Sequence, residues 1–130
     1  MSKFEEEFAC FFNSKALKFK RNDKAFKGTP DFTFYEGKIV LFLNGCFWHG
    51  HNCKVWNLDK IWTSRINSTI EKDFLVRKYF LNSDTQYFRI WECEYQKNKQ
   101  ETLNKIYDAI TLQQSEPCTP KIGQTILEMS

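Results

Sequence analysis

The sequence has no long apolar run. No uninterrupted one is longer than Ile39 to Leu43, far short of the roughly 20 residues that a membrane-spanning helix needs. Its first residues, Met-Ser-Lys-Phe-Glu-Glu-Glu-Phe, lack the apolar segment of a secretory signal. Glycine and proline are few, 5 and 3 of 130 residues, and collagen, coiled coil and bulk disorder all fail to fit the composition. A large excess of one charge is missing as well. Nineteen Lys and Arg against 16 Asp and Glu leave a net charge of +3, which is compatible with nucleic-acid binding without requiring it. The five cysteines are an odd number. Without a signal segment they read as metal ligands or buried thiols before they read as a disulfide framework.

What is present is one domain's worth of chain, long enough to bury roughly two thirds of its unfolded surface. Its 13 Phe outnumber its 9 Leu, which is unusual for a globular protein. Phe4, Phe8, Phe11 and Phe12 recur at helical spacing around Glu5, Glu6 and Glu7, giving an amphipathic helix with acids in its first turn. Leu17 and Phe19 alternate with Lys18 and Lys20 as a short strand, and residues 22–30 form a basic loop. From Lys15 to Lys27 there are six basic residues and one acid, Asp23. Two β-rich runs, 31–35 and 38–43, are separated by Glu36-Gly37, which predicts a tight hairpin. The second run is apolar throughout, as in a strand buried on both faces. A helix is expected from Asp59 to about Asn82, a strand over Gln86–Trp91 and a last helix over Glu101–Leu112. The domain is therefore assigned to residues 1–112 and a tail to 113–130. The fold class is α/β in the broad sense, an α+β mixed sheet flanked by helices.

Several residues could carry chemistry. Cys46, His51 and Cys53 are soft or borderline ligands within eight residues, and Cys93 could close a tetrahedral Zn2+ site with no open position. Equally, Cys46 and Cys93 could be buried thiols and His51 a surface histidine. Cys10 reads as a core filler and Cys118 as a tail residue. His49 is free to act as a general base or to sit idle in its loop. Asp31, after Pro30 at the head of a strand, is either a turn aspartate or an oxygen ligand for Mg2+. Asp73 lies near the apolar stripe of the long helix, where a carboxylate needs a partner; Arg77 and His49 are the candidates. Phe47, Trp48 and Trp62 either pack the interior or stand ready to wedge between bases.

Pro30-Asp31-Phe32, an apolar strand running into Asn44-Gly-Cys-Phe-Trp-His-Gly-His-Asn-Cys53, then Asp73 and Trp91-Glu-Cys93, together resemble the very-short-patch repair (Vsr) mismatch endonucleases. The likeness runs from Phe4 to Glu94, about 70% of the chain. It implies a restriction-endonuclease-like nuclease fold with a structural zinc site. It implies Asp31 as the Mg2+ ligand, with the backbone carbonyl of Leu43 as the next contact. It implies His49 as general base supported by Asp73, and Glu5 as a helper through metal-bound water. The zinc ligands would be Cys46, His51, Cys53 and Cys93, and the intercalating aromatics Phe47, Trp48 and Trp62. Only three residues precede Phe4, so the family's N-terminal clamp on DNA is expected to be absent or very short.

The expected function is a Mg2+-dependent DNA endonuclease that nicks one strand at a T:G mismatch. Lys18, Lys20, Arg21 and Lys24 would contact phosphates of double-stranded DNA. The resemblance further implies a monomer in a bacterial or phage-encoded cytoplasmic setting, associated with the nucleoid in use and followed by downstream repair proteins. Two alternatives stay open: a Vsr-like nickase of restriction, homing or phage type without mismatch specificity, and a non-catalytic zinc-stabilised DNA-binding module.

Overall fold

The computed structural model describes residues 3–47, 49–52, 56–115 and 126–129. Helix α1 (Lys3–Ser14) leads into β1 (Lys20–Arg21), β2 (Phe32–Phe34) and β3 (Ile39–Asn44). The long helix α2 (Lys60–Leu81) then precedes β4 (Gln86–Trp91), α3 (Glu92–Lys97), α4 (Lys99–Ser115) and β5 (Ile126–Met129). The strands form one sheet in the order β1-β2-β3-β4-β5. The β1–β2 and β2–β3 pairings are antiparallel, and β3–β4 and β4–β5 are parallel. The sheet is thus mixed, as expected.

Alternation along the strands gives the sheet two unlike faces. Phe32, Phe34, Ile39, Leu41, Phe88 and Ile90 point to one side, where they pack with Phe4, Phe8 and Phe12 of α1 and with Leu103, Ile106 and Ile110 of α4. Phenylalanine dominates because edge-to-face ring pairs fill this layer. Phe12 meets Phe32 and Phe34 with centroids 5.3 and 5.1 Å apart, nearly perpendicular in both cases. Val40, Phe42 and Tyr87 point to the other side, against Val76 and Phe80 of α2. Residues 39–41 of β3 are therefore buried whichever way their side chains point, which is what a continuous apolar run requires.

The long helix begins where the sequence places it. Asp59 is its N-cap and accepts from the Trp62 N–H at 2.9 Å. Other boundaries move. The expected strand at Leu17 and Phe19 forms instead at Lys20–Arg21. Helix α1 closes through Ala16, at φ 55, with the Leu17 N–H on the Phe12 carbonyl. Residues 17–19 are consumed in turning back, and Leu17 and Phe19 pack on the core. The hairpin turn takes four residues, not two. Tyr35 and Glu36 adopt φ 51 and 58, and the Gly37 N–H bonds the Phe34 carbonyl at 3.1 Å. This mirror-image turn matches strand twist. Gly37 is required there, since a Cβ would lie 2.1 Å from the Phe26 ring.

Helix α3 has no counterpart in the sequence reading; six residues are too few to show a period. Helix α4 extends to Ser115, past the expected end at Leu112. The segment read as a tail also includes β5, whose backbone continues the sheet in register from Tyr87↔Ile126 to Ile90↔Met129. Cys10, expected in the core, is exposed, and Cys118 lies outside the described residues.

Candidate active site and metal centre

The functional side chains gather where β3 ends. The β2–β3 ladder runs as far as Phe32↔Leu41. Just beyond it, Asp31 Oδ2 accepts the Leu43 N–H at 2.7 Å. In an extended strand the N–H and C=O of one residue point to the same side, so the Leu43 carbonyl also faces the Asp31 edge. Burial pushes the Asp31 carboxyl up to about 6, and the negative charge of Glu5 adds to the rise. The Leu43 N–H and the positive form of His49 act in the opposite direction. Asp31, Glu5 and His49 are thus within electrostatic reach of one another. A half-buried carboxylate beside a second acid and a strand-end carbonyl is a set of hard oxygen donors with excess negative charge, and so fits Mg2+.

Glu5 is held by a clamp. Arg21 Nη2 donates to Glu5 Oε1 at 3.1 Å and to Glu6 Oε1 at 2.8 Å, and Asn22 Nδ2 donates to Glu5 Oε1 at 3.2 Å. Asn22 also uses its backbone N–H to bond the Asp31 carbonyl at 3.1 Å. Arg21, expected on phosphates, is here half-buried and ties α1 to the edge strand. Lys18, Lys20 and Lys24 are exposed, as phosphate contacts must be.

His49 Nδ1 bonds Asp73 Oδ2 of α2. Of the two partners the sequence offered for Asp73, His49 therefore has this bond. The loop carrying His49 sits tightly on α2. Gly50 has φ 61, and a Cβ there would come within 2.6 Å of Ile70 and 2.7 Å of Ile66. Backbone bonds from His49 N to Gly45 O and from His51 N to Cys46 O fold the loop on itself.

Cys46, His51 and Cys93 place their donor atoms within 4.8 Å of one another, and His51 Nδ1 is 3.5 Å from Cys93 Sγ. Two thiols and an imidazole at this separation, close to the span of two metal–ligand bonds of roughly 2.0–2.3 Å, can hold a metal ion. The imidazole is kept below its ordinary pKa, first by burial and then by the Arg89 guanidinium, against an opposing pull from Glu94. A neutral ring is the form that binds metal. Cys53, the fourth expected ligand, lies outside the described residues, as does Trp48. Phe47 and Trp62 meet edge to face at 5.7 Å, and Phe47 also meets Trp56 at 5.3 Å. Arg65 lies 5.4 Å over the Trp62 ring.

Asn22, Trp56, Arg89 and Trp91 stand beside these residues without being expected there from sequence. Asn22 and Arg89 carry no motif that would reveal them. Trp91 had a signal, its place immediately before Glu-Cys93.

A family model described as DNA mismatch endonuclease Vsr matches residues 2–55. The chain is 31% identical over 99 residues to the type II nicking enzyme V.NmeAIP of Neisseria meningitidis serogroup A, spanning 71% of this chain and 70% of that protein. It is 32% identical over 102 residues to the type II nicking enzyme V.HpaIIP of Haemophilus parainfluenzae, spanning 72% and 70%. To the DNA mismatch endonuclease Vsr of Escherichia coli it is 28% identical over 93 residues, spanning 68% and 60%.

Proposed function

The chain belongs to the Vsr family of DNA endonucleases, and from that premise we propose that it nicks one strand of duplex DNA in a Mg2+-dependent reaction. The observation that carries this reading is the meeting of Asp31, Glu5 and the His49–Asp73 pair at one end of β3. The arrangement supports a restriction-endonuclease-like nuclease fold, in which the sheet presents a carboxylate and a base to one phosphate.

Asp31 and the Leu43 carbonyl would hold Mg2+, which supplies a positive charge to offset the negative charge growing on the cleaved phosphate. His49 takes a proton from the attacking water on its Nε2. Its Nδ1–H is meanwhile donated to Asp73, which fixes the tautomer and stabilises the imidazolium that forms. Glu5, oriented by Arg21 and Asn22, sets further water in the same locality. Cys46, His51, Cys93 and Cys53 would bind a structural Zn2+ that anchors the loop. Phe47, Trp48 and Trp62 supply the intercalating surface, and Lys18, Lys20 and Lys24 the phosphate contacts.

The T:G mismatch is the substrate this reading assigns, supported by the likeness to the family described as DNA mismatch endonuclease Vsr. A second reading, nicking without mismatch selectivity, is favoured by the likeness to relatives named type II nicking enzymes. Duplexes carrying T:G and their fully paired counterparts, incubated with Mg2+ and with EDTA, separate the two. Selective nicking of T:G in Mg2+ supports mismatch repair. Equal nicking supports the second reading, and no Mg2+-dependent nicking of any duplex refutes the enzyme.

A further inference from the structure

Trp91 is the last residue of β4, paired in register with Asn44 at the end of β3. It is only 7% exposed. On the chain it stands two residues before Cys93, so its backbone and that thiol are nearly one rigid unit. In space its indole stacks flat on His51, with centroids 4.1 Å apart and an interplanar angle of 11°. The same indole meets His49 edge to face at 6.2 Å and 76°. Arg89 lies 4.9 Å over the ring as a cation on a π-face. One buried aromatic thus meets both the thiol–imidazole cluster, through His51, and the His49–Asp73 pair, through His49.

We propose that Trp91 is a positioning residue that couples the Cys46–His51–Cys93 cluster to His49. The proposal rests on the reading of His49 as the base, and it concerns how that base is held. Among the described residues the His49 ring meets Asp73, which bonds Nδ1, and Trp91, whose edge-to-face contact limits rotation and tilt about that bond. An imidazole fixed by one hydrogen bond can still swing about it; a second contact at an angle removes that freedom. Because Trp91 is stacked on His51, the position of this second support is set by whatever fixes His51. Ordering His51 by a bound metal should therefore order His49, with no ligand shared between them. Geometry of this kind matters steeply, since small misplacement of a catalytic group costs orders of magnitude in rate.

The test uses the full chain as wild type, Trp91→Phe and Trp91→Met. Phenylalanine keeps a ring edge, whereas methionine fills volume without one. The first readout is the Nδ1 proton of His49 by NMR, during titration with Zn2+ alone. In wild type the signal should sharpen in step with one equivalent of Zn2+. In Trp91→Phe most of that response should persist. In Trp91→Met, Zn2+ should still bind while the His49 signal stays broad. A His49 response in Trp91→Met equal to wild type overturns the proposal, as does a wild-type His49 signal that ignores bound Zn2+. The second readout is nicking: Trp91→Met should lose at least tenfold in kcat with KM little changed, and Trp91→Phe less than threefold. Nicking by Trp91→Met at the wild-type rate also overturns it. If the methionine variant does not fold, the wild-type titration decides alone. The Trp91 indole N–H and the His49 signal must then move with one stoichiometry, and separate transitions overturn the coupling. Absence of nicking by wild type would refute the nuclease reading, while the NMR readout would still test the coupling.

Discussion

The two faces of the central sheet differ in what alternation delivers to them. On the side of α1 and α4, β2 contributes Phe32 and Phe34, β3 contributes Ile39 and Leu41, and β4 contributes Phe88 and Ile90. All six are at most 2% exposed. On the side of α2, the same strands carry Asp31 and Thr33, then Val40, Phe42 and Asn44, then Tyr87, Arg89 and Trp91. The first face is dry and apolar along all three strands. The second is apolar in its middle and polar toward the end of β3, where the candidate site lies. A period of two thus lets a three-strand stretch be core and chemistry at once. The dry face holds the strands in register so that a half-buried carboxylate can be tolerated on the other. Substitutions on the two faces should therefore fail in different ways.

The largest contrast is expected between His49 and Phe12. His49→Ala should slow nicking by roughly 10²–10⁴-fold, the usual contribution of a general base, with the urea midpoint little changed. Plasmid relaxation and urea unfolding on one preparation check both halves. Phe12→Ala should do the reverse. It empties the centre of the dry face and should cost about 3–5 kcal/mol of stability, while nicking per folded molecule is kept. If Phe12→Ala abolishes activity in the folded fraction, the division between the faces fails.

A smaller effect sharpens the comparison. The Asp31 carboxyl is raised to about 6 from 3.8. A carboxyl raised by folding favours the folded state below its unfolded pKa and loses that contribution as pH rises through its folded one. Asp31 therefore weakens the fold above about pH 6 and does not below about pH 3.8. Asp31→Asn should stabilise the protein at pH 8 by up to about 3 kcal/mol, at 1.36 kcal/mol per pKa unit. The gain should vanish near pH 4. Melting curves of both proteins across pH 4–8 test this, and equal destabilisation by Asn at every pH would contradict it.

Cys93→Ala should remove one metal donor beside His51. Lower bound zinc by elemental analysis and a lower melting point are expected together; undiminished zinc would remove Cys93 from the centre. The smallest effect belongs to the exposed basic loop. Lys24→Ala should leave kcat unchanged and reduce the slope of log binding constant against log salt by about 0.9, the value for one lost phosphate contact.

Much of this was legible in the sequence, for identifiable reasons. The apolar run of β3, the start of the long helix at Asp59 and the Phe spacing of α1 are local signals, and the structure follows them. The cluster of Cys46, His51 and Cys93 was legible because metal-ligand types are few and they recur near one another. What was not legible depends on distant parts meeting. Nothing around Arg21 says that it will clamp Glu5 and Glu6 instead of facing solvent, because the contact joins a helix and an edge strand fifteen or sixteen residues apart. The shift of β1 past Phe19 follows from how α1 terminates, which depends on Ala16 entering the left-handed region without a glycine to announce it. From sequence, β5 reads as tail because residues 113–130 contain Pro117 and Pro120 and show no clear period. Its pairing is set by the free edge of β4 instead.

The central claim is that a half-buried carboxylate just before β2 and an imidazole past the end of β3 act on one phosphate. Its most direct test is the conversion of supercoiled plasmid to open circles in Mg2+ by Asp31→Asn protein, which keeps an acceptor for the Leu43 N–H and should be at least as stable as wild type. The account predicts open circles with wild type and none with Asp31→Asn at equal folded concentration. Nicking by folded Asp31→Asn at the wild-type rate would contradict it.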